Sequence, residues 1–278
     1  MFLGYNTNGW NCHALEDAVR LLAEIGYRGV AVSIDHHALP PGAADLDATL
    51  DRLRRLLDDA NLRSAIETGA RYVLDPRRKH EPTLISPQRE GRRRRIDFYR
   101  HAIGCAAALG SDCVSIWSGR LHEGVSPDEA RAWLVEGLEE VLDLAAARGV
   151  RVALEPEPGM WIDTLERFDE LADSLRRDDL GLTLDVGHVH CQGEGSIDAA
   201  IRRRAERLIH VHIEDMRRGA HEHLMFGQGE IDFPPIFQAL AACGYAGGVY
   251  VELSRHGHVA PEAAREALAF LRSVAAVV

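Results

Sequence analysis

The stretch LTLDVGHVH, residues 182–190, carries the first decision about the fold. Leu182 to Leu184 are a short apolar run, Asp185 ends it, Gly187 follows, and histidines stand at 188 and 190. A run this short and this apolar suits a strand buried on both faces, as in a parallel sheet. The acid and the imidazoles then fall where the strand leaves the core, and Gly187 is expected to let the chain turn sharply there. Asp185 and His188 are the functional candidates of the stretch, and His190 reads as a bystander.

Runs of the same kind recur along the chain: FLGYN (2–6), GVAVSI (29–34), LRSAIE (62–67), CVSIW (113–117), RVALE (151–155), GLTLD (181–185), LIHVHI (208–213) and GVYVEL (248–253). Between them lie segments with 3.6-residue apolar spacing, such as ATLDRLRRLLDDA and PEAAREALAFLRSVAA, which predict amphipathic helices. Gly26, Gly110, Gly149 and Gly244 mark helix ends. Ser126-Pro127-Asp128-Glu129 is a helix start, with a capping serine and an acid three residues on. Eight strands alternating with helices, at a spacing of roughly 30 residues, predict an α/β fold, a single (β/α)8 TIM barrel over residues 1–278. The rival, a doubly wound open sheet, lacks its glycine-rich phosphate loop after the first strand. Two connections are long, 68–90 and 214–232; both follow strands, so both are expected at the barrel mouth, shaping a pocket. The RRRR run at 92–95 is expected as a solvated face at the start of the third helix.

Strand C-termini of a barrel gather at one mouth, where active sites are built. Here the fifth strand ends in Glu155, the sixth in Asp185, the seventh carries His210 and His212, and the eighth has Glu252. Carboxylates crowded at the rim of an apolar core repel one another, and a divalent cation turns that cost into binding. Three acids and one imidazole are a mostly oxygen set. Such a set suits one Mn²⁺ per chain, with Mg²⁺, Co²⁺ or Zn²⁺ as alternatives, in an expanded shell rather than a closed structural zinc site. His210 and His212 alternate along their strand and are expected to point to opposite faces, so that only one is a ligand. His212, nearer the C-terminal end, is taken as that ligand and His210 as a packed, hydrogen-bonded histidine. Trp117 is a candidate stacking platform for a sugar, and Glu67 and Glu157 are candidate substrate contacts. Trp10, His36, His256 and His258 are further rim candidates, whereas His80 and His223 read as ordinary histidines of the long loops.

The chain has 278 residues, 46% hydrophobic and 27% charged, enough to bury a large core without staples. A net charge of −11 opposes a nucleic-acid partner, whose phosphates need a basic footprint. The five cysteines are scattered with no CxxC pair, which argues against a disulfide framework and fits a reducing cytoplasm. No run approaches the ~18 apolar residues of a membrane span, so no membrane partner is expected. The opening MFLGYNTNGW has no basic region followed by a long apolar stretch, so no signal peptide is expected either.

Together, Glu155-Pro156 after the fifth strand, LDVGH (184–188), HVHIED (210–215), GQGEIDF (227–233) and VEL (251–253) resemble the xylose isomerase-like barrel superfamily. Within it the closer likeness is to the sugar phosphate isomerase/epimerase branch, with its ketose 3-epimerases, inosose dehydratase and hydroxypyruvate isomerase. The resemblance covers essentially the whole chain. It implies metal ligands at Glu155, Asp185, His212 and Glu252, the two glutamates doubling as acid and base, with His188 and one of Arg217 and Arg218 on the substrate. Many relatives have Lys-Asp where this chain has Glu214-Asp215, a departure that counts against a phosphorylated substrate.

The function so implied is a metal-dependent isomerase or epimerase of a sugar or keto-polyol, working by glutamate-mediated proton transfer through an enediolate. A lyase, either a dehydratase or a keto-glycoside-cleaving enzyme, is the alternative, because it shares the first step. A sugar binder without catalysis has no use for the retained pair Glu155 and Glu252. An abasic-site endonuclease of the endonuclease IV type is opposed by the net charge of −11, and by Glu67 and Trp117, which stand where that branch carries histidines. Relatives commonly form homo-oligomers, which the resemblance extends to this chain as an expectation.

Overall fold

Every apolar run quoted above becomes a strand. In the computed structural model, which describes residues 1–275, these are β1 (Phe2–Asn6), β2 (Gly29–Ser33), β3 (Arg63–Glu67), β4 (Val114–Ile116), β5 (Val152–Leu154), β6 (Leu180–Asp185) and β7 (Leu208–Ile213). Two short strands follow, β8 (Asp215–Arg217) and β9 (Ala220–Leu224), and then β10 (Gly248–Val251). Eight of them close into a barrel in the order β1-β10-β7-β6-β5-β4-β3-β2, while β8 and β9 form a separate two-stranded sheet. The barrel pairs with a recorded register are parallel. All six residues of β6 are buried, Thr183 and Asp185 included, as expected of a strand covered on both faces.

The helices are α1 (Leu15–Ile25), α2 (Leu46–Asp59), α3 (Arg89–Leu109), α4 (Pro127–Ala146), α5 (Leu165–Leu175), α6 (Val186–Gln192), α7 (Ile197–Arg203), α8 (Pro234–Ala242) and α9 (Ala260–Ala275). Among the described residues, no helix is long and apolar enough to cross a membrane. α1 and α3 end on Gly26 and Gly110, both at positive φ. α4 begins with the expected capping box: Ser126 Oγ accepts from the Glu129 N–H at 3.2 Å, and Glu129 Oε2 accepts from the Ser126 N–H at 3.0 Å.

Packing divides the chain into two units, and each has its own core. The first comprises 1–32, 55–64 and the chain from 182 onward. In it β1 pairs with β10 and β2, β10 with β7, and β7 with β6. Asp185, His212 and Tyr250 lie side by side in register across β6, β7 and β10. The Tyr250 ring occupies space that a Cβ at Gly4 or Gly248 would fill. Tyr27 ties this core to α9, donating its hydroxyl to the Ala264 carbonyl at 2.9 Å.

The second unit comprises 33–54 and 65–181. Its strands β3, β4 and β5 run in register through Ile66–Val114 and Val114–Val152. The basic run at 92–95 departs here from its expected solvated face. Arg93 is exposed and pairs with Glu140 at 2.7 Å, but Arg95 is fully buried. Its guanidinium donates to the carbonyls of Pro82 at 2.7 Å, His80 at 2.6 Å and Thr68 at 3.4 Å, and lies 5.0 Å from the Trp117 ring centroid. The reason is helical phase: Arg95 falls on the same face as buried Phe98, Tyr99 and Ala102. A long connection without regular structure needs donors for its inward carbonyls, and Arg95 supplies several from one side chain.

Candidate functional site

Asp185 sits at a junction of two elements. As the last residue of β6 it is buried, and as the N-cap of α6 its Oδ1 accepts the His188 backbone N–H at 2.7 Å. Its other oxygen, Oδ2, is buried without a hydrogen-bond donor, 3.8 Å from His188 Nε2 and 3.9 Å from His212 Nδ1. His212 Nδ1 also lies 3.0 Å from Glu252 Oε2. Glu252 is held just past β10, where its N–H donates to the Ile213 carbonyl, and its Oε1 accepts from Asn8 Nδ2 at 2.7 Å. Burial alone would raise the Glu252 carboxyl, but the charge and hydrogen bond of His212 hold it far below the usual range. The same competition, decided by His188 and His212, keeps Asp185 ionised.

His210 does not point away from His212. Their Nε2 atoms are 3.1 Å apart, both rings are buried, and His210 also packs on Tyr250 with ring centroids 4.7 Å apart. Residues two apart on a strand share a face; successive residues are the ones that alternate. His210 therefore stands beside His212 on that face, and the contact between the two Nε2 atoms keeps His212 Nδ1 turned to the acids.

Gly187 also differs from expectation. It lies within α6 at ordinary helical geometry, and what it provides is space: a Cβ there would overlap the Glu214 carboxyl and sit 2.7 Å from Met216 Cε. Glu214 is fully buried, and neither of its oxygens has a donor. Burial, then the nearby charges of Asp185 and Glu252, raise its carboxyl well above the usual range, so Glu214 is held neutral.

The 214–232 connection is an ordered hairpin. β8 and β9 pair through Asp215–Leu224 and Arg217–Ala220. The Asp215 carboxylate accepts the backbone N–H groups of Met216, Gly227, Gly229 and Ile231 at 2.8–3.2 Å, which fixes the GQGEI segment against the hairpin. His221 and His223, two apart on β9, both turn to α6: the ring centroid of His188 is 4.8 Å from that of His221 and 6.1 Å from that of His223. His188 Nε2 lies 3.1 Å from His221 Nε2. Burial lowers the His188 pKa to about 4, against the pull of Asp185 upward. Sequence reading passed over His223 as a loop histidine; the signal available was the His-x-His spacing itself. The arginines expected on the substrate, Arg217 and Arg218, stand on and just after β8. Arg217 and Arg218 are exposed; Arg217 donates to the Gln228 carbonyl at 3.0 Å, and the Arg218 N–H donates to Glu230 at 3.0 Å. His190 lies 3.5 Å from the same Glu230 carboxylate.

Glu67, Trp117, Glu155 and Glu157 belong to the second unit. Glu155 is buried at the end of β5, its N–H donating to the Ile116 carbonyl at 2.8 Å. Glu157 stands half-buried in the turn after β5, with its N–H on the Ile162 carbonyl. Trp117 is buried beneath Arg95, with the His80 ring edge-on at 5.2 Å. Of the rim candidates, Trp10 is buried in the first core, whereas His36 and His258 are exposed.

A sequence profile of the xylose isomerase-like TIM barrel family matches residues 19–274. Inosose dehydratase of Geobacillus thermodenitrificans is 31% identical over 144 residues, 46% of this chain and 48% of that protein, so the match spans about half of that relative. Two crystal structures share the fold. D-allulose 3-epimerase from Methylomonas sp. matches with a TM-score of 0.78 at 20% identity, over 99% of this chain and 98% of that one. The IOLI protein with a zinc atom matches with a TM-score of 0.78 at 22% identity, over the same shares of the two chains. The chain belongs to the xylose isomerase-like TIM barrel family.

Proposed function

We propose that this chain is a divalent-metal-dependent isomerase or epimerase of a sugar or related keto-polyol, with Glu155, Asp185, His212 and Glu252 as the cation's ligands. The observation that carries this reading is Asp185 Oδ2, buried without a donor and 3.9 Å from His212 Nδ1, which itself lies 3.0 Å from Glu252 Oε2. An orphaned anionic oxygen in a low-dielectric site calls for a positive partner. The donor set fits: three carboxylates and one imidazole are an oxygen-dominated shell of the kind Mn²⁺ takes. A cation held there would supply positive charge beside a substrate carbonyl and lower the cost of removing the neighbouring carbon-bound proton.

The chain's own residues account for the proton movements. Glu252 is ionised and anchored by Asn8, so it can accept a proton from a substrate carbon without reorienting. Glu155, on a different strand, is the second carboxylate that epimerisation at a carbon next to a ketone requires. His210 holds His212 in place through the shared Nε2 contact and so keeps Nδ1 on the acids. Glu214, neutral and buried, adds no further negative charge to the cluster.

A lyase is the second reading, favoured by the 31% identity to inosose dehydratase. Its first proton abstraction is the same, and a hydroxyl then departs from the next carbon.

Incubation with ketoses and inososes in D₂O separates these outcomes. Wild type loaded with Mn²⁺ is expected to wash deuterium into the carbon next to the carbonyl, with an epimer as product, and Glu252→Gln to slow that exchange by about 10²-fold or more. Loss of water in place of epimer formation selects the lyase. No exchange with any carbonyl polyol, in protein holding stoichiometric metal, sinks both.

A further inference from the structure

We infer that the cleft between the connections after β4 and β5 binds an organic anion, a carboxylate or phosphate borne on a flat apolar body. The cleft lies wholly within the second unit, beside α4 and α5, and has a volume of about 430 Å³. Small-molecule sites span roughly 300–1,000 Å³. Arg120, Arg131 and Arg167 line it with positive charge, and Leu121, Met160 and Trp161 give it an apolar wall. Neither Glu155 nor Glu157 lines it.

Its walls are held by the protein itself. The Trp161 N–H donates to the Gly119 carbonyl at 2.8 Å and the Ile162 N–H to Ser118 Oγ at 3.0 Å, which ties the two connections together. Arg167 Nη1 donates to the Trp161 carbonyl and to Asp163 Oδ1, both at 2.9 Å, so Asp163 balances its charge. The other two guanidiniums are not balanced in this way. Arg131 stands 3.9 Å from the Glu170 carboxylate, beyond hydrogen-bond distance, and donates instead to the neutral Ser174 hydroxyl at 3.2 Å. Arg120 is exposed, and no acid pairs with it among the described residues. With 43 acids in the chain against 32 lysines and arginines, an arginine without an acid is the exception. Arg93 pairs with Glu140, and Arg177 with both Asp143 and Asp179.

The donor chemistry selects the ligand. A guanidinium presents parallel N–H groups that match a carboxylate or phosphate and accepts no hydrogen bond itself. A neutral polyol would therefore find donors for its oxygens but few acceptors for its hydroxyls. The half-buried Trp161 ring offers a face for a flat apolar body, and Leu121, 39% exposed, loses water when such a body is seated. On a chain of net charge −11, a locally positive cleft is also where anions gather.

Titration calorimetry on the whole chain tests the site, with naphthoate, naphthyl phosphate and neutral naphthylmethanol as probes. Wild type is expected to bind one naphthyl anion per chain, and the neutral probe at least tenfold more weakly. Tighter binding of the carboxylate or of the phosphate names the head group, and either upholds the site. Arg120→Gln/Arg131→Gln removes the two unbalanced guanidiniums and is expected to weaken binding at least tenfold. Arg94→Gln/Arg148→Gln makes the same change in net charge at exposed positions outside the cleft and is expected to bind as wild type does. Glu252→Gln is expected to bind normally too, so failure of the proposed reaction leaves this result standing. Absence of binding in wild type, equal loss in the two double variants, or equal affinity for inorganic phosphate and naphthyl phosphate would each overturn the inference. So would a dimer in sedimentation that Leu121→Asp splits, with no naphthoate bound, because a second copy would then be the occupant.

Discussion

Gly187 is small because Glu214 occupies the space beside it. A methyl group there overlaps the Glu214 carboxyl and crowds Met216, and both neighbours are fully buried with nowhere to retreat. Overpacking of this kind costs about 1–3 kcal/mol. Gly187→Ala is therefore expected to lower the unfolding free energy from denaturant titration by that amount, although alanine is the better helix former. Gly104→Ala is the control, since it too lies inside a helix but with nothing within 4 Å of its added Cβ. It should gain up to about 1 kcal/mol from propensity alone. Equal responses in the two variants would mean that Glu214 does not pack where the structure has it. Asp185, His212 and Glu252 were legible because a barrel strand gives its last residue to the mouth, whatever its side chain. Gly187 was misread, because a missing side chain serves a sharp turn or a close neighbour equally well, and LDVGH contains no sign of Glu214. His210 was misplaced for a simpler reason, the period of a strand.

Among the elements, the long connections were the least legible. Their length was visible in sequence, but their order comes from contacts far along the chain: Arg95 reaching back to 68–82, and Asp215 collecting N–H groups from Met216 to Ile231. The first of these connections carries a pH dependence. His80 lies at positive φ with its ring under cover, next to Arg95 and Arg71, and its Nδ1 contacts the Gly69 carbonyl. Burial pushes its pKa down to about 4, overriding the hydrogen bond, which pulls upward. Above the unfolded value of about 6.5 both folded and unfolded chains are neutral here, and the loop's stability is complete. As pH falls from 6.5 toward 4 the unfolded chain takes up a proton that the folded chain refuses, so stability drains away across that window. His80→Asn tolerates the left-handed backbone and does not titrate. Between pH 7 and pH 5, wild type is expected to lose on the order of 1 kcal/mol more than this variant in urea unfolding. Parallel losses would show that His80 is solvated.

At the scale of the whole molecule, the three proposed ligands Asp185, His212 and Glu252 meet only when the neighbouring strands β6, β7 and β10 have paired, so a cation bound among them counts toward folding. The unfolded chain scatters Asp185, His212 and Glu252 and holds such an ion weakly. Mass action then stabilises the native state by about 2.7 kcal/mol at a hundredfold excess over the dissociation constant. At about 2–4 °C per kcal/mol for a chain of this size, Mn²⁺ should raise the thermal midpoint by about 5–10 °C over chelator-treated protein. The net charge of −11 offers a trivial alternative, since any divalent ion relieves self-repulsion across an acidic surface. Glu252→Gln decides between the two, because it alters total charge by a single unit while removing one ligand of the set. If the shift comes from the site, it collapses in that variant; if it comes from the surface, it persists nearly unchanged. A midpoint in wild type that ignores Mn²⁺ altogether would remove the cation from the proposed function and leave the buried acids without a partner.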